Sequence, residues 1–222
     1  MFRVITLERE YGSGAASIAK ILASRLGWTL WDAAFTREIA RRLNCNVETV
    51  EQREERPDPA FYRLARIFMR GSFEDATGSK LEFLDAENLA ALFERVCNDI
   101  ADQGNCIVVG RGAPWFLRER AEAFHLFVYA PYDVKLNRVQ AQGKTREEAE
   151  ELLASVDKER AAFVKKYYNK IWPQRDLYHM MINSKVGYEV VADLVLREME
   201  LLSGMPLGLH SVSPVQDVGR TI

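Results

Sequence analysis

The strongest constraint on this chain is a pair of glycines, Gly12 and Gly14, set between a short apolar run and a segment of helical periodicity. Phe2 to Leu7 is β-branched and apolar, as a buried strand would be, and it stops at charged Glu8-Arg9-Glu10. Beyond Gly12-Ser13-Gly14, the residues Ile18, Ile21, Leu22 and Leu26 recur at helical spacing, with Gly27 as a stop. A strand feeding a helix through such a turn directs N–H groups without intrahelical partners at one point, where the helix dipole adds positive charge. The turn is therefore a candidate anion site. Glycines also serve ordinary strand-to-helix corners, but placement after the first strand favours phosphate.

The remaining pattern alternates strands with helices. Trp28 to Trp31 predicts a short strand that delivers Asp32 to its end, and Phe35, Ile39 and Leu43 mark one face of the next helix. From Asn44 to Asp85 the chain is charged and irregular, with Glu51 to Arg56 and Pro57-Asp58-Pro59 breaking the periodicity; this stretch is expected to be a mobile insert. Leu89, Leu92, Phe93, Val96 and Ile100 define an amphipathic helix, followed by an apolar run, Cys106 to Val109, that ends at Gly110-Arg111-Gly112. Phe124 to Ala130 reads as a strand, Pro131 opens a helix, and Ala149, Leu152, Leu153, Val156, Arg160, Phe163 and Tyr167 space out a long one. Tyr178 to Asn183 is the last strand candidate, and Val190 to Leu202 carries a final amphipathic helix before a Gly-, Pro- and Ser-containing tail. That tail is expected to order only against a partner.

Strands joined by helices, with no hairpin signal, require crossovers and hence a mainly parallel sheet in an α/β fold. Ligands of such sheets lie beyond the carboxyl ends of the strands. Glu8 to Gly14, Asp32, Gly110 to Gly112 and Asn183-Ser184 all fall at predicted strand ends, so four segments are expected to share one crevice.

Composition narrows the partners. A formal net charge of −2 supplies no global field for nucleic acid or an anionic membrane, so any phosphate recognition must be local. Cys45, Cys97 and Cys106 have no metal-ligand spacing and His125, His179 and His210 stand apart from them, so reduced thiols are expected. Neither a signal peptide nor an apolar span is visible, and the expectation is a cytoplasmic protein. Whether it self-associates as a homo-oligomer stays open.

Set against the usual phosphate loop, Gly-x-x-x-x-Gly-Lys-Ser/Thr, the register puts Arg9 at the first glycine, Gly14 at the second and Ala15 where lysine belongs. With one extra residue before the hydroxyl, Ser17 is the candidate to face magnesium. Arg9, Arg111 or a cation from a lid are the candidates to replace the missing charge.

The segment Ile5 to Gly14, followed by Ile18-Ala19-Lys20, Leu26-Gly27 and Asp32 after an aromatic residue, resembles the cytidylate kinase-like family. Gly110 to Ala113, Asp157 to Arg160, Tyr167-Tyr168 with Trp172, and Tyr178 to Ser184 extend the resemblance to about residue 200. It implies a five-stranded parallel core between helical layers, like the phosphate-loop nucleoside-monophosphate kinases, with an acceptor-binding insert at 44–85 and a lid region at 143–172. The resulting expectation is a single domain over 1–203 and a tail over 204–222. The implied activity is transfer of the ATP γ-phosphoryl group to a monophosphate such as CMP or dCMP, with ATP and Mg²⁺ as cofactors and small nucleotides as partners. True cytidylate kinases keep the loop lysine and an aspartate after the Gly-Arg pair; this chain has Ala15 and Gly112.

The resemblance places ATP phosphates on Arg9, Tyr11, Gly12, Ser13, Gly14, Ala15, Ala16 and Ser17. It suggests Asp32, with Arg37, Arg41 and Arg111, for the acceptor, and Arg111, Asp157 and Arg160 for the transfer step. Each has a plainer reading. Asp32 is also placed to cap the following helix, Arg37 and Arg41 fit an exposed helix face, and Asp157 with Arg160 fits a simple i, i+3 pair. Arg63, Arg66 and Arg70 read as a solvated stripe, Arg138, Lys165 and Lys166 as lid-side cations, and Tyr167, Tyr168 and Trp172 as packing residues. Two rivals to the kinase remain: a non-catalytic nucleotide-binding module that lost the lysine, and a kinase of another small acceptor.

Overall fold

A computed structural model of the chain describes residues 1–42 and 86–204. The predicted insert at 44–85, including Arg63, Arg66 and Arg70, and the tail beyond Gly204 lie outside the described residues.

Five parallel strands form one sheet in the order β2-β3-β1-β4-β5. They are β1 (Val4–Arg9), β2 (Thr29–Trp31), β3 (Cys106–Val109), β4 (Ala123–Tyr129) and β5 (Met180–Asn183). The helices are α1 (Ala15–Leu26), α2 (Ala33–Arg42), α3 (Ala86–Gln103), the short α4 (Ala113–Phe116), α5 (Tyr132–Gln140), α6 (Arg146–Tyr168) and α7 (Tyr188–Leu202). Central β1 is buried throughout because both faces are covered. Ile5 and Leu7 pack with Ile18 and Leu22 of α1 and Val191 and Val195 of α7. Val4 joins the opposite core of Phe35 and Ile39 from α2, Val96 and Ile100 from α3, and Leu117. The result is the predicted three-layer arrangement.

One correction bears on the site. The charged residues after Leu7 do not end the strand: Glu8 and Arg9 continue β1, in register with Phe127 and Val128 of β4, and both are buried. Burial of this pair is tolerated because the two charges meet each other and further charges from β3 and α6, as described below.

Local signals set the helix ends. Gly14 precedes α1 with φ 77°, and Gly27 closes it with φ 65° while its N–H donates to the Ala23 carbonyl. Helix α6 starts at a reciprocal cap, in which the Glu148 N–H donates to Thr145 Oγ1 at 3.2 Å and the Thr145 N–H donates to the Glu148 carboxylate at 2.8 Å. Leu136 and Val139 of α5 and Ala149 of α6 make a third, smaller core against Tyr11, which brings α6 beside the glycine turn. Trp172 and Tyr178 both pack on Phe127, the packing role expected of Trp172. No described helix is long and apolar enough to cross a membrane.

Candidate functional site

The site begins where β1 ends. Glu8 and Arg9 are the strand's last two residues, and the Glu8 carboxylate accepts from the Arg9 backbone N–H at 3.2 Å and from Nη1 at 3.5 Å. The Arg9 side chain, 7% exposed, crosses the end of β3 above Gly110, where an added Cβ would lie 1.9 Å from Nη1. Only glycine leaves room for that path.

Gly110, Arg111 and Gly112 are three consecutive left-handed residues, with φ of 68°, 62° and 74°. An L-residue in this region costs about 1–2 kcal/mol, so Arg111 is held there by its surroundings. The conformation turns its side chain into the interior, where the residue is 2% exposed. Burial, the positive charge of Arg9 and that of Arg160 push its guanidinium down to about 10, against the pull of Asp32 and Glu8.

Arg160 enters from α6. Its Nη1 donates to the Arg9 carbonyl at 3.0 Å and to the Asp157 carboxylate at 2.9 Å, and the residue is 3% exposed. Burial and then Arg9 lower it also to about 10. Asp157 accepts from the Tyr11 backbone N–H at 3.0 and 3.2 Å, so the i, i+3 pair is also the tie between α6 and the glycine turn. Burial pushes the Asp157 carboxyl up, opposed by Arg160 and the Tyr11 N–H. Three buried guanidiniums thus lie within electrostatic reach of one another, with Glu8, Asp32 and Asp157 as counter-charges.

The turn itself is braced from the far edge of the sheet. Arg138 of α5 donates to the Ser13 carbonyl at 2.7 Å, to Ser184 Oγ at 2.8 Å and to the Ser184 carbonyl at 3.0 Å, and lies 4.8 Å from the Tyr188 ring centroid. Ser184 Oγ donates to the same Ser13 carbonyl. Behind the turn, the Tyr188 ring occupies the space a Gly14 side chain would need, with Cε1 2.5 Å from an added Cβ. Lys135 pairs with Glu10 at 2.8 Å on the flank.

Of the residues singled out in the sequence, Arg9 to Ser17, Asp32, Arg111, Asp157, Arg160 and Ser184 lie together at the carboxyl edge of the sheet. Asp32 stands directly before α2, where a cap would stand, and its Oδ1 is buried without a hydrogen-bond partner among the described residues. Arg41 is not drawn in: its side chain is 72% exposed and held by Glu38 at 2.7 and 2.8 Å. The backbone of Arg37 lies in α2, and its side chain, like those of Lys166, Tyr167 and Tyr168, is outside the description. Glu8, Lys135 and Tyr188 were not anticipated. Glu8 was masked by the expectation of a loop there, and no local spacing connects Tyr188 to Gly14.

These features fit an anionic guest. Arg9 Nη2 and Ser13 Oγ are buried with no hydrogen-bond partner among the described residues, and both belong to the loop segment. Magnesium accompanying phosphates needs only one or two protein oxygens, for which Ser17 is the candidate. No group of three or more His, Cys, Asp or Glu suited to a cation occurs among the described residues.

Comparison with known proteins agrees with this architecture. A crystal structure of an uncharacterized protein from Eubacterium ventriosum is 18% identical, with a TM-score of 0.60 over 89% of this chain and 98% of that one. Shikimate kinase from Acinetobacter baumannii, in complex with shikimate, is 17% identical over 92% and 94% of the two chains, at a TM-score of 0.49. A sugar kinase from Janibacter sp. is 14% identical over 93% and 100%, at 0.48. No curated protein matches the sequence. The sequence pattern of one family does match, over residues 4–186, from the first residue of β1 to the turn that carries Ser184. On that match the chain belongs to the Cytidylate kinase-like family.

Proposed function

We propose that the protein transfers a phosphoryl group from ATP to a nucleoside monophosphate, with CMP or dCMP the leading acceptor. Family membership supports a kinase-type phosphotransfer. The observation that carries the reading is the buried cluster of Arg9, Arg111 and Arg160 beside a glycine turn at the carboxyl edge of a parallel sheet. Phosphoryl transfer asks for little covalent help; positioning and neutralisation of charge lower the barrier.

With ATP and magnesium bound, the nucleotide supplies the transferable phosphoryl group and the cation neutralises part of its charge. Main-chain N–H groups of Gly12, Gly14, Ala15 and Ala16 would hold phosphate oxygens at the start of α1, those of Ser13 and Ser17 being given to the Glu10 and Gly14 carbonyls, and the Ser17 hydroxyl would supply the protein's oxygen to the metal. Arg138 and Ser184 keep the turn in shape by holding the Ser13 carbonyl from outside. Asp32 offers its unengaged oxygen to the acceptor. Arg111 and Arg160 neutralise charge on the transferred group, and Asp157 positions Arg160. Burial of these groups keeps their fields strong.

The test is ADP release from ATP and magnesium across a panel of nucleoside monophosphates. Turnover with a cytidine monophosphate is expected, and Arg111→Ala should chiefly lower turnover. If no acceptor yields ADP while ATP still raises the melting temperature, the kinase reading fails. Ala15 at the lysine position is the observation that favours the alternative, a nucleotide-binding module without catalysis. In that case Arg111→Ala weakens binding.

A further inference from the structure

Two departures from the phosphate-loop pattern lie six residues apart, Arg9 at the first glycine and Ala15 at the lysine, and we infer that they compensate: Arg9 supplies the charge that the loop lysine would supply. The assignment rests on the phosphate-binding reading of the turn, though not on catalysis.

Three of the other nearby cations are engaged, and the fourth, Arg111, is assigned above to the transferred group. Arg138 is committed to the Ser13 carbonyl and to Ser184, Lys135 to Glu10, and Arg160 to Asp157 and the Arg9 carbonyl. Arg9 differs. Its side-chain bond among the described residues is to Glu8 at 3.5 Å, the outer limit of a hydrogen bond, and its Nη2 is buried with no hydrogen-bond partner. An ionised N–H group held from water without an acceptor is costly, and the cost is recovered when an anion arrives.

The backbone explains how the arginine came to be usable here. The usual first glycine lets the chain leave the strand; in this chain β1 continues through that position, so the Arg9 side chain starts from a strand end still paired with β4. Its path is opened by Gly110 on the neighbouring strand end, whose missing Cβ is the space the guanidinium fills. The repulsion that Arg9 exerts on Arg111 and Arg160 fits the same assignment, because a multiply charged anion relieves all three.

Calorimetric titration with ATP, and in parallel with inorganic pyrophosphate, tests this on native protein, Arg9→Gln, Arg9→Lys, and the double variant Arg9→Gln with Ala15→Lys. Loss of one buried charge-assisted contact predicts affinity about 10–100-fold weaker in Arg9→Gln for both probes. Arg9→Lys should retain most of the affinity, and Ala15→Lys should restore it in the double variant. Arg9→Gln binding as tightly as native protein overturns the assignment, as does Arg9→Lys falling as far as Arg9→Gln in a protein with native circular dichroism. The kinase reading fails separately, if these binding effects hold while no monophosphate is phosphorylated. Native protein that binds neither probe overturns both.

Discussion

Gly110→Ala isolates the crossing of Arg9 over β3 from ordinary backbone strain, provided it is measured beside Gly27→Ala. Both glycines are left-handed, with φ of 68° and 65°, so alanine costs about 1–2 kcal/mol at either position from the backbone alone. At Gly27 nothing lies within 4 Å of the added Cβ, and that is the whole cost. At Gly110 the Cβ would lie 1.9 Å from Arg9 Nη1, so the guanidinium must leave and the buried Glu8 carboxylate loses its partner. Overpacking at so close a contact costs about 1–3 kcal/mol, which puts the total for Gly110→Ala at about 2–5 kcal/mol. For a chain of this size the melting temperature should fall by about 2–8 °C in Gly27→Ala and about 4–20 °C in Gly110→Ala. Urea unfolding of both variants at neutral pH gives the free energies, and the cycle is completed in an Arg9→Ala background. There the cost of Gly110→Ala should shrink to that of Gly27→Ala, a coupling of about 1–3 kcal/mol. Equal losses for the two glycines in native protein, or a Gly110→Ala cost indifferent to Arg9, would refute the reasoning.

Two other perturbations probe the scaffold. Gly14→Ala adds a Cβ 2.5 Å from the Tyr188 ring in a left-handed position, and should cost about 2–5 kcal/mol from strain and overpacking together; recovery of about half in Gly14→Ala with Tyr188→Leu checks the packing share, and no recovery would place all the cost in the backbone. His125 is 3% exposed, holds Thr6 Oγ1 at 2.6 Å through Nδ1, and is pushed down from 6.5 to about 4, first by burial and then by His179. Its folded value is depressed, so the unfolded chain binds the proton more readily: the neutral ring's contribution is complete above pH 6.5 and is lost as pH falls towards 4. The loss is worth about 3 kcal/mol, and His125→Asn should flatten the urea midpoint between pH 7 and 4.5; an unchanged slope would assign the acid sensitivity elsewhere.

What could be read from the sequence was what repeats locally. Strands β2, β3 and β4, helices α1, α2, α3, α5, α6 and α7, and the meeting of four strand ends follow from apolar runs, periodicity and glycine stops, because each depends on neighbours within a turn or two. The four-residue α4 has too short a pattern to be seen that way, and the cap between Thr145 and Glu148 sets the start of α6. The end of β1 was misread because charge was taken as exposure, a rule that fails where buried charges neutralise one another across strands and helices. At Asp157 the helix pair that the spacing suggests is present, and what the spacing hides is its second partner, the Tyr11 N–H 146 residues away, whereas at Arg41 simple exposure decides for the plain reading. The choice among Arg9, Arg111 and a lid cation was likewise undecidable from spacing, since it turns on Gly110 beneath Arg9 and on bonds that occupy Arg138.

The brace on the glycine turn also orders events during biosynthesis. Strand β1 finds its sheet partners only when Cys106 and Ala123 have left the ribosome, and the Ser13 carbonyl meets Ser184 only 171 residues after it was made. Contacts of such long sequence separation form slowly and late. A nascent chain stopped before Ser184 carries the entire loop segment yet lacks the hydroxyl that holds the Ser13 carbonyl, so the brace on the turn is completed only when the segment after the last strand has docked.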